Sequence, residues 1–236
     1  MRRAHPGLTS TQLSVAWQSA SLLLGYPDQG LLDRLALIRQ ASHELPEAVG
    51  APLRSVVTML AGVPLPTLEA DYVETFDSRR RHNLFLTYFA HGDTRQRGVA
   101  LLRFKQTYLD SGFELTDQEL PDHLCVVLEY AATIDRYRGR RLILDHRAGL
   151  ELLRISLGDA DSRWTGAVEA VTATLPPLRG DEMDAVRRLA AEGPPAEEVG
   201  LTPYATPAFD PGPARPDFSG RSSPVLLPMP SFPGAH

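Results

Sequence analysis

The spacing of apolar residues limits what this chain can fold into more than any other feature. Through most of the first 192 residues, apolar side chains recur every three or four positions, and no segment alternates convincingly with a period of two. Leu13, Ala16, Trp17, Ala20 and Leu24 form one such series. A period of 3.6 places side chains on one face of an α-helix, whereas a half-buried strand needs alternation. The sequence predicts an all-α fold, a single compact bundle of about eight or nine helices.

The composition changes sharply near residue 193. Eleven of the chain's 20 prolines lie between Gly193 and His236. Proline lacks a backbone donor and does not fit a helix interior. We therefore predict an all-helical domain over residues 1–192 and a Pro-rich, mostly disordered C-terminal tail over residues 193–236. Within that tail, the segment from 199 to 204 is the part that could dock on the domain.

One predicted helix, beginning after Asp93 or Thr94 and ending near Gly112, is apolar on two faces. We therefore expect it to be central and buried on most sides. Gly98 lies inside this helix, where glycine costs up to about 1 kcal/mol relative to alanine. We expect Gly98 to allow the close approach of another backbone. The two apolar faces are formed by Leu101, Phe104 and Tyr108, and by Val99, Leu102 and Leu109.

Two shorter segments also carry structural predictions. The run from Leu84 to Phe89 resembles a strand, but no other segment could pair with it, so we expect it to join the helical core. Pro121 is predicted to open a later helix, because proline suits the first helical position. His123 would then be a surface or hinge residue.

Charge and cysteine content narrow the classes of protein to which this chain can belong. The formal net charge of −5 gives no general attraction to nucleic acid or to anionic membranes. Cys125 is the only cysteine, so an internal disulfide is impossible and a reducing compartment is indicated. No apolar run approaches the roughly 18 residues that a membrane span requires. We expect a soluble cytoplasmic protein without direct membrane insertion.

Residues 72–98 combine acidic, aromatic and arginine side chains around a glycine turn. Their arginines, together with Arg103, could form a nucleic-acid patch, but acidic residues in and beside this stretch would cancel much of its field. We favour ion pairs within the protein, or a surface that faces another protein. The arginines concerned are Arg79, Arg80, Arg81, Arg95, Arg97 and Arg103, and the nearby acids are Glu69, Asp71, Glu74 and Asp77.

The usual catalytic spacings do not occur in this sequence. The seven histidines include no His-x-x-x-His pair, and there is neither a Cys-x-x-Cys motif nor a phosphate-binding loop. Cys125 lies in an apolar stretch, which favours a small buried side chain over a nucleophile. Two alternatives stay open: a helical metal-dependent enzyme that uses Asp122 and His123, and an RNA-binding module that uses Arg79 to Arg103.

Four stretches of the sequence carry a resemblance to a known family. They are Leu22–Asp28, Tyr72–Asp77, Gly92–Gly98 and Glu119–Leu124, and both their order and their spacing match. The chain resembles the assembly chaperones of respiratory nitrate reductase, often called its delta subunit, over roughly residues 13–175. These chaperones belong to the wider group of redox-enzyme maturation chaperones. The family pattern places proline after Asp-His-Leu, where this chain has Cys125.

The resemblance implies an all-helical chaperone that is not an enzyme and holds no cofactor of its own. Such a protein binds the N-terminal segment of the immature catalytic (alpha) subunit of nitrate reductase. It supports insertion of the molybdenum cofactor and the iron–sulfur cluster, and it delays docking to the membrane anchor. Proteins that deliver molybdenum cofactor are further possible partners. An alternative client is a different molybdoenzyme of the same superfamily.

A helical bundle with an apolar groove can receive an amphipathic helix of such a client. We predict that residues of the last three motifs and their neighbours line or support this groove. Tyr72 and Phe76 also have a simpler interpretation, as core residues one turn apart. Glu74 and Asp77 could pair with Arg79 or Arg95. The predicted partner-binding residues are Tyr72, Glu74, Phe76, Asp77, Arg79, Gly92, Arg95, Arg97, Glu119, Pro121, Asp122 and His123.

Overall fold

The computed structural model describes residues 7–116 and 119–194, and it confirms the all-α prediction. Within these residues the chain forms eleven α-helices, a π-helical segment (Val73–Asp77) and a 3-10 turn (Arg80–His82). The predicted tail, including residues 199–204, lies outside the described residues. The α-helices are α1 (Ser10–Leu24), α2 (Gln29–Ser42), α3 (Glu47–Leu60), α4 (Leu65–Tyr72), α5 (Leu86–His91), α6 (Arg95–Leu109), α7 (Leu124–Thr133), α8 (Arg136–Asp145), α9 (Arg147–Asp159), α10 (Thr165–Ala173) and α11 (Gly180–Glu192).

Two of these helices exceed the predicted number. Helix α5 arises from the strand-like run at Leu84 to Phe89, which joins the core as expected, with Leu86 and Phe89 almost fully buried. Helix α8 was missed because it is rich in arginine and contains Gly139, which masks its short apolar face. A Cβ atom at Gly139 would lie 2.4 Å from the Cβ of Ala131, so this glycine allows α7 and α8 to pack closely.

The centre of the bundle is built from α1, α3, α7 and α10. Helix α1 packs against α7 and α10, and α3 packs against α10 and α2. Trp17 of α1 is fully buried, and its indole nitrogen donates to Thr174 Oγ1 at 2.9 Å. A capping box between Thr9 and Gln12 fixes the start of α1, because it satisfies backbone donors that have no partner within the helix. These helices form the scaffold against which the remaining elements are placed.

Helix α6 lies at the edge of this scaffold. Its principal contact with another described helix is with α5, which in turn packs against α9. Ala100, Phe104 and Tyr108 turn inward and are buried. The prediction that this helix is central and buried on most sides is wrong, because its second apolar face lacks a covering element among the described residues.

The described helices are short relative to the thickness of a membrane. No single one of them combines the length and the apolar character needed to cross a bilayer. The bent pair Glu47–Leu60 and Leu65–Asp77, with 119° between its halves, meets those requirements by length and composition only when both halves are counted together.

Candidate partner-binding site

The Tyr72–Asp77 motif contributes mainly to the protein core. The rings of Tyr72 and Phe76 lie 4.6 Å apart, and both contact Trp164 edge-on, at 5.5 and 5.4 Å between ring centroids. Tyr72 donates its hydroxyl hydrogen to Leu24 O at 2.9 Å. Burial raises the pKa of this hydroxyl well above its ordinary value. The interpretation of Tyr72 and Phe76 as core residues is therefore confirmed.

A π-helical turn, Val73–Asp77, directs the acidic residues of this motif outward. Such turns are rare and occur often at functional sites. Glu74 and Asp77 are exposed, and Glu74 pairs with Arg79 at 3.7 Å, as the sequence suggested. His82 is buried, with its ring nitrogens 2.9 Å from Thr75 O and 3.1 Å from Ser156 O. The ring of His82 thus holds the π-helical turn against α9.

The Gly92–Gly98 motif forms the turn between α5 and α6 and the first turn of α6. Gly92 is buried and has φ of 57° and ψ of −148°, a conformation that favours glycine over residues with a side chain. Thr94 immediately precedes α6, but its side chain caps no backbone donor. Arg95 is exposed on the first turn of α6, whereas Arg97 turns inward and is only 18% exposed. The motif therefore places two arginines on different faces of one helix.

The Glu119–Leu124 motif is an extended turn rather than the start of a helix. Helix α7 begins at Leu124, so the prediction that Pro121 opens it is wrong. Tertiary hydrogen bonds decide this geometry. Leu86 N donates to Asp122 O at 3.0 Å, Leu124 N donates to Leu84 O at 2.8 Å, and the Tyr108 hydroxyl donates to Pro121 O at 2.6 Å. Pro121 is consequently buried, while Glu119 and Leu120 remain exposed.

Asp122 is the centre of a buried polar network. Its side chain is fully buried, and Oδ2 accepts hydrogen bonds from the Thr87 hydroxyl at 2.5 Å and from Thr87 N at 3.2 Å. Arg97 Nε donates to Thr87 Oγ1 at 3.3 Å, and Arg97 Nη2 lies 3.8 Å from Asp122 Oδ2. Arg97 also pairs with the exposed Asp93 at 3.4 Å. This network joins the Gly92–Gly98 motif to the Glu119–Leu124 motif.

The network also contacts aromatic rings. The guanidinium of Arg97 lies 5.3 Å from the ring centroid of Phe85, a distance suited to a cation–π contact. His123 packs edge-on against the same ring at 5.1 Å. Burial lowers the pKa of His123, although the nearby Asp122 opposes this shift. His123 is partly buried rather than the surface residue that was predicted, because its ring packs on Phe85.

Cys125, which follows Leu124, lies in the first turn of α7. The residue is partly buried against the core, and burial raises the pKa of its thiol to about 12. Its carbonyl oxygen accepts a hydrogen bond from Ser21 Oγ at 2.9 Å. A thiol with so high a pKa is protonated at neutral pH, which fits a small packed side chain rather than a nucleophile.

The exposed face of α6 is the feature that sequence reasoning missed. Val99, Leu102 and Leu109 are 56%, 66% and 50% exposed. Gly98 lies beside them, and a Cβ atom there would meet no described atom within 4 Å beyond its chain neighbours and the backbone of its own helix. The expectation that Gly98 serves a close approach of another backbone is therefore not met by the described residues. We call Arg95, Gly98, Val99, Leu102 and Leu109 the α6 face.

A small cavity adjoins the C-terminal end of the α6 face. It measures about 180 Å³ and shares Leu109 with that face. Phe113 and Leu115 give it an apolar wall, and Lys105 and Glu114 place charges at its border. A cavity of this character can receive one apolar side chain from a partner.

The predicted partner-binding residues thus fall into two groups. Tyr72, Phe76, Glu74, Asp77 and Arg79 form a buried aromatic pair with an exposed charged border. The others surround the α5–α6 turn and the Glu119–Leu124 segment. Phe85 and Thr87, which connect that second group, were not predicted. The signal that could have identified the α6 face was the presence of two apolar faces on a single helix.

Asp122 and His123, the residues of the metal-dependent alternative, both make contacts within the protein. Oδ2 of Asp122 is engaged by Thr87, and the ring of His123 packs on Phe85. Across residues 7–116 and 119–194, no three His, Cys, Asp or Glu side chains form a group that could hold a metal ion.

The sequence matches a known family model and is similar to several known proteins. Residues 42–170 match the family model described as nitrate reductase delta subunit. A Bacillus subtilis protein named probable nitrate reductase molybdenum cofactor assembly chaperone NarJ is 32% identical over 172 residues, which cover 71% of this chain and 92% of that protein. Escherichia coli NarJ, named a nitrate reductase molybdenum cofactor assembly chaperone, is 34% identical over 151 residues, or 61% and 62% of the two chains.

A Mycobacterium tuberculosis protein named nitrate reductase-like protein NarX is also similar. It is 39% identical over 161 residues, which cover 68% of this chain. This match spans only about a quarter of the mycobacterial protein, 24% of its length. The matched family model spans more than half of the present chain, including the π-helical turn, the α6 face and the Asp122 network. The chain therefore belongs to the nitrate reductase delta subunit family.

Proposed function

We propose that this protein is a chaperone that serves molybdenum cofactor insertion during the assembly of respiratory nitrate reductase. Its family membership and the names of its Bacillus subtilis and Escherichia coli relatives support this proposal. In the proposed role the protein binds the catalytic (alpha) subunit before that subunit is complete and catalyses no bond-making step itself. The client is bound through its N-terminal segment.

The observation that carries a binding role is the exposure of the α6 face. Three large apolar side chains on one side of α6, each at least half exposed, leave apolar surface in water. Burying this surface against a partner is favourable by about 25 cal/mol per Å². Their positions at i, i+3 and i+10 follow one side of α6, which suits an amphipathic helix lying along it. Gly98 lets the backbone of that helix approach closely.

The Asp122 network supports the α6 face without touching the client. Its hydrogen bonds fix the beginning of α6 to the Glu119–Leu124 segment, through Thr87 and Arg97. A rigid surface costs less conformational entropy on binding than a mobile one. We therefore assign Asp122 and Arg97 a positioning role, and Arg95 and Glu119, both exposed, a role at the charged border.

Charges at the border of the face determine orientation and association rate more than affinity. Arg95 precedes the apolar residues by one turn, and Lys105 and Glu114 border the cavity at the opposite end. The exposed Glu74, Asp77 and Arg79 form a separate charged group near the π-helical turn. We propose that they contact another part of the client.

The remaining steps belong to the same proposal. By holding the N-terminal segment, the chaperone keeps the alpha subunit competent for insertion of the molybdenum cofactor and the iron–sulfur cluster. It also delays docking to the membrane anchor, since the held segment cannot take its final place. The proteins that deliver molybdenum cofactor would act on this complex in the cytoplasm.

Co-purification from nitrate-respiring cells tests this function. The tagged chain is expected to retain the alpha subunit as its main partner and to lose it when the N-terminal segment of that subunit is deleted. Cells that lack the gene should accumulate alpha subunit without molybdenum. Recovery of a different molybdoenzyme, or normal nitrate reductase activity without the gene, would contradict the proposal.

A further inference from the structure

A second cavity lies between the C-terminal end of α5 and helices α6 and α8. It measures about 620 Å³, within the range of roughly 300–1,000 Å³ typical of small-molecule sites. Its apolar floor is formed by Ala90, Ala100, Phe104 and Leu142. The cavity is separate from the small one at Leu109, and none of the predicted partner-binding residues lines it.

Three arginines from two helices line this cavity. Arg103 comes from α6, whereas Arg138 and Arg141 come from α8. Among the described residues, the guanidinium of Arg103 has no hydrogen-bond or ion-pair partner in this chain. Arg138 donates to Ser111 Oγ at 2.8 Å, and Arg141 Nε lies 3.9 Å from Asp145 Oδ2. Arg103 and Arg141 therefore retain most of their donors for a ligand.

The two carboxylates of the cavity are already engaged. Asp110 Oδ1 accepts a hydrogen bond from Gln106 at 2.7 Å, and Asp145 faces Arg141. His146 adds a fixed ring, because its Nδ1 lies 2.9 Å from Leu142 O and must donate to that carbonyl. Burial lowers the pKa of His146, so its ring is neutral at pH 7 and its Nε2 is an acceptor. The net charge of the lining side chains at pH 7 is positive.

We propose that this cavity binds a phosphorylated small molecule of about nucleotide size. A single guanidinium fork satisfies a planar carboxylate, whereas a phosphoryl group carries up to two negative charges and accepts donors from several sides. Arginines supplied by both α6 and α8 suit such a group, because it can accept donors from two sides of the cavity. The apolar floor and the acceptor at His146 would contact the remainder of the ligand.

Calorimetry with the full chain tests this proposal with three probes: ADP, inorganic pyrophosphate and adenosine. ADP should bind most tightly, pyrophosphate more weakly, and adenosine at least tenfold more weakly than ADP. ADP affinity should fall as salt concentration rises. Equal binding of ADP and adenosine, or the absence of ADP binding, would overturn the proposal. Pyrophosphate binding as tight as that of ADP would overturn the assigned ligand size.

Variants locate the site. Arg103→Gln and Arg141→Gln should each weaken ADP binding at least fivefold, and the double variant should abolish it. Arg188→Gln is the matched control, because Arg188 is an exposed arginine on α11 outside the cavity. Unchanged ADP binding in the double variant, with an unchanged melting temperature, would overturn the location. Binding of the client peptide is measured separately, so failure here is distinguishable from failure of the proposed function.

Discussion

The aromatic cluster around Tyr72 and the exposed side of α6 have similar sequence patterns, but the first is buried and the second is exposed. Both present large apolar residues at helical spacing. Around Tyr72, the π-helical turn, Trp164 and the carbonyl of Leu24 enclose the rings from several sides. Helix α6 has α5 as its principal neighbour, so within the part of the chain that the structure describes only one of its apolar faces is covered. Helical periodicity thus identifies an apolar face but not whether its own chain or a partner covers it.

This difference predicts which residues contribute to the stability of the fold and which contribute to binding of the client. Residues in the aromatic cluster should affect folding strongly and the client only indirectly. Residues of the α6 face should affect the client with little consequence for folding. The Asp122 network lies between these two cases, because it is buried but holds the exposed face in position.

The largest expected change in stability comes from the aromatic cluster. Phe76→Ala should lower the free energy of unfolding by about 4 kcal/mol, through lost burial and the cavity left beside Trp164. Chemical denaturation followed by circular dichroism measures this value. Val73→Ala, at an exposed position of the same segment, should cost less than about 1 kcal/mol. Equal effects of the two variants would break the assignment of Phe76 to the core.

The Asp122 network should give the next largest change. Asp122→Ala should destabilise the protein by about 3 kcal/mol, because it leaves the buried donors of Thr87 without their acceptor and the Arg97 guanidinium without its buried counter-charge. Asp93→Ala removes the other, exposed partner of Arg97 and should cost at most about 0.5 kcal/mol. A similar loss in both variants would show that burial of Asp122 does not distinguish the two carboxylates.

Removal of one hydroxyl sharpens the comparison within the aromatic cluster. Tyr72→Phe keeps the ring contacts but loses the hydrogen bond to Leu24 O, at a cost of about 1 kcal/mol. Tyr137→Phe is the control, since Tyr137 is 79% exposed and should tolerate the change. Thermal unfolding of both variants checks this; a neutral Tyr72→Phe would mean that the hydroxyl contributes little.

The smallest change should be a gain in stability. Gly98→Ala should stabilise the protein by about 0.5–1 kcal/mol, since alanine favours the helix and the added methyl group meets open space. The same variant should weaken client binding, because the methyl group blocks close approach of the partner helix. Gly112→Ala is the contrasting variant, with φ of 72° and an expected loss of stability. Unchanged client affinity in Gly98→Ala would argue against close backbone contact at this point.

Local patterns predicted the fold class well because helix formation leaves a periodic trace. Three features could be predicted without tertiary information: the apolar series from Leu13 to Leu24, the neighbouring Tyr72 and Phe76, and the glycine turn at Gly92. Helix α8 was not, because its arginine-rich sequence carries only a short apolar face. The prediction that Pro121 opens a helix was wrong for a related reason. Its signal for a helix start is local, whereas hydrogen bonds to Leu84, Leu86 and Tyr108 determine the observed turn.

The candidate site was predictable only in part. The motifs containing Arg97 and Asp122 were recognised, but their connection through Thr87 depends on residues distant in sequence. The exposure of Leu102 depends on the elements that pack around α6, and no local pattern reports those. The association of Tyr72 with the binding surface followed from its place in a motif, whereas its side chain contributes to the core.

The most direct test of the central claim compares two leucines of equal exposure. Leu102 on the α6 face is 66% exposed and Leu37 on α2 is 64% exposed, so serine at either position should alter the free energy of unfolding by a similar small amount. Calorimetry with a peptide from the N-terminal segment of the alpha subunit then separates them. The account predicts at least tenfold weaker binding for Leu102→Ser and unchanged binding for Leu37→Ser. Equal affinity in the two variants would contradict it.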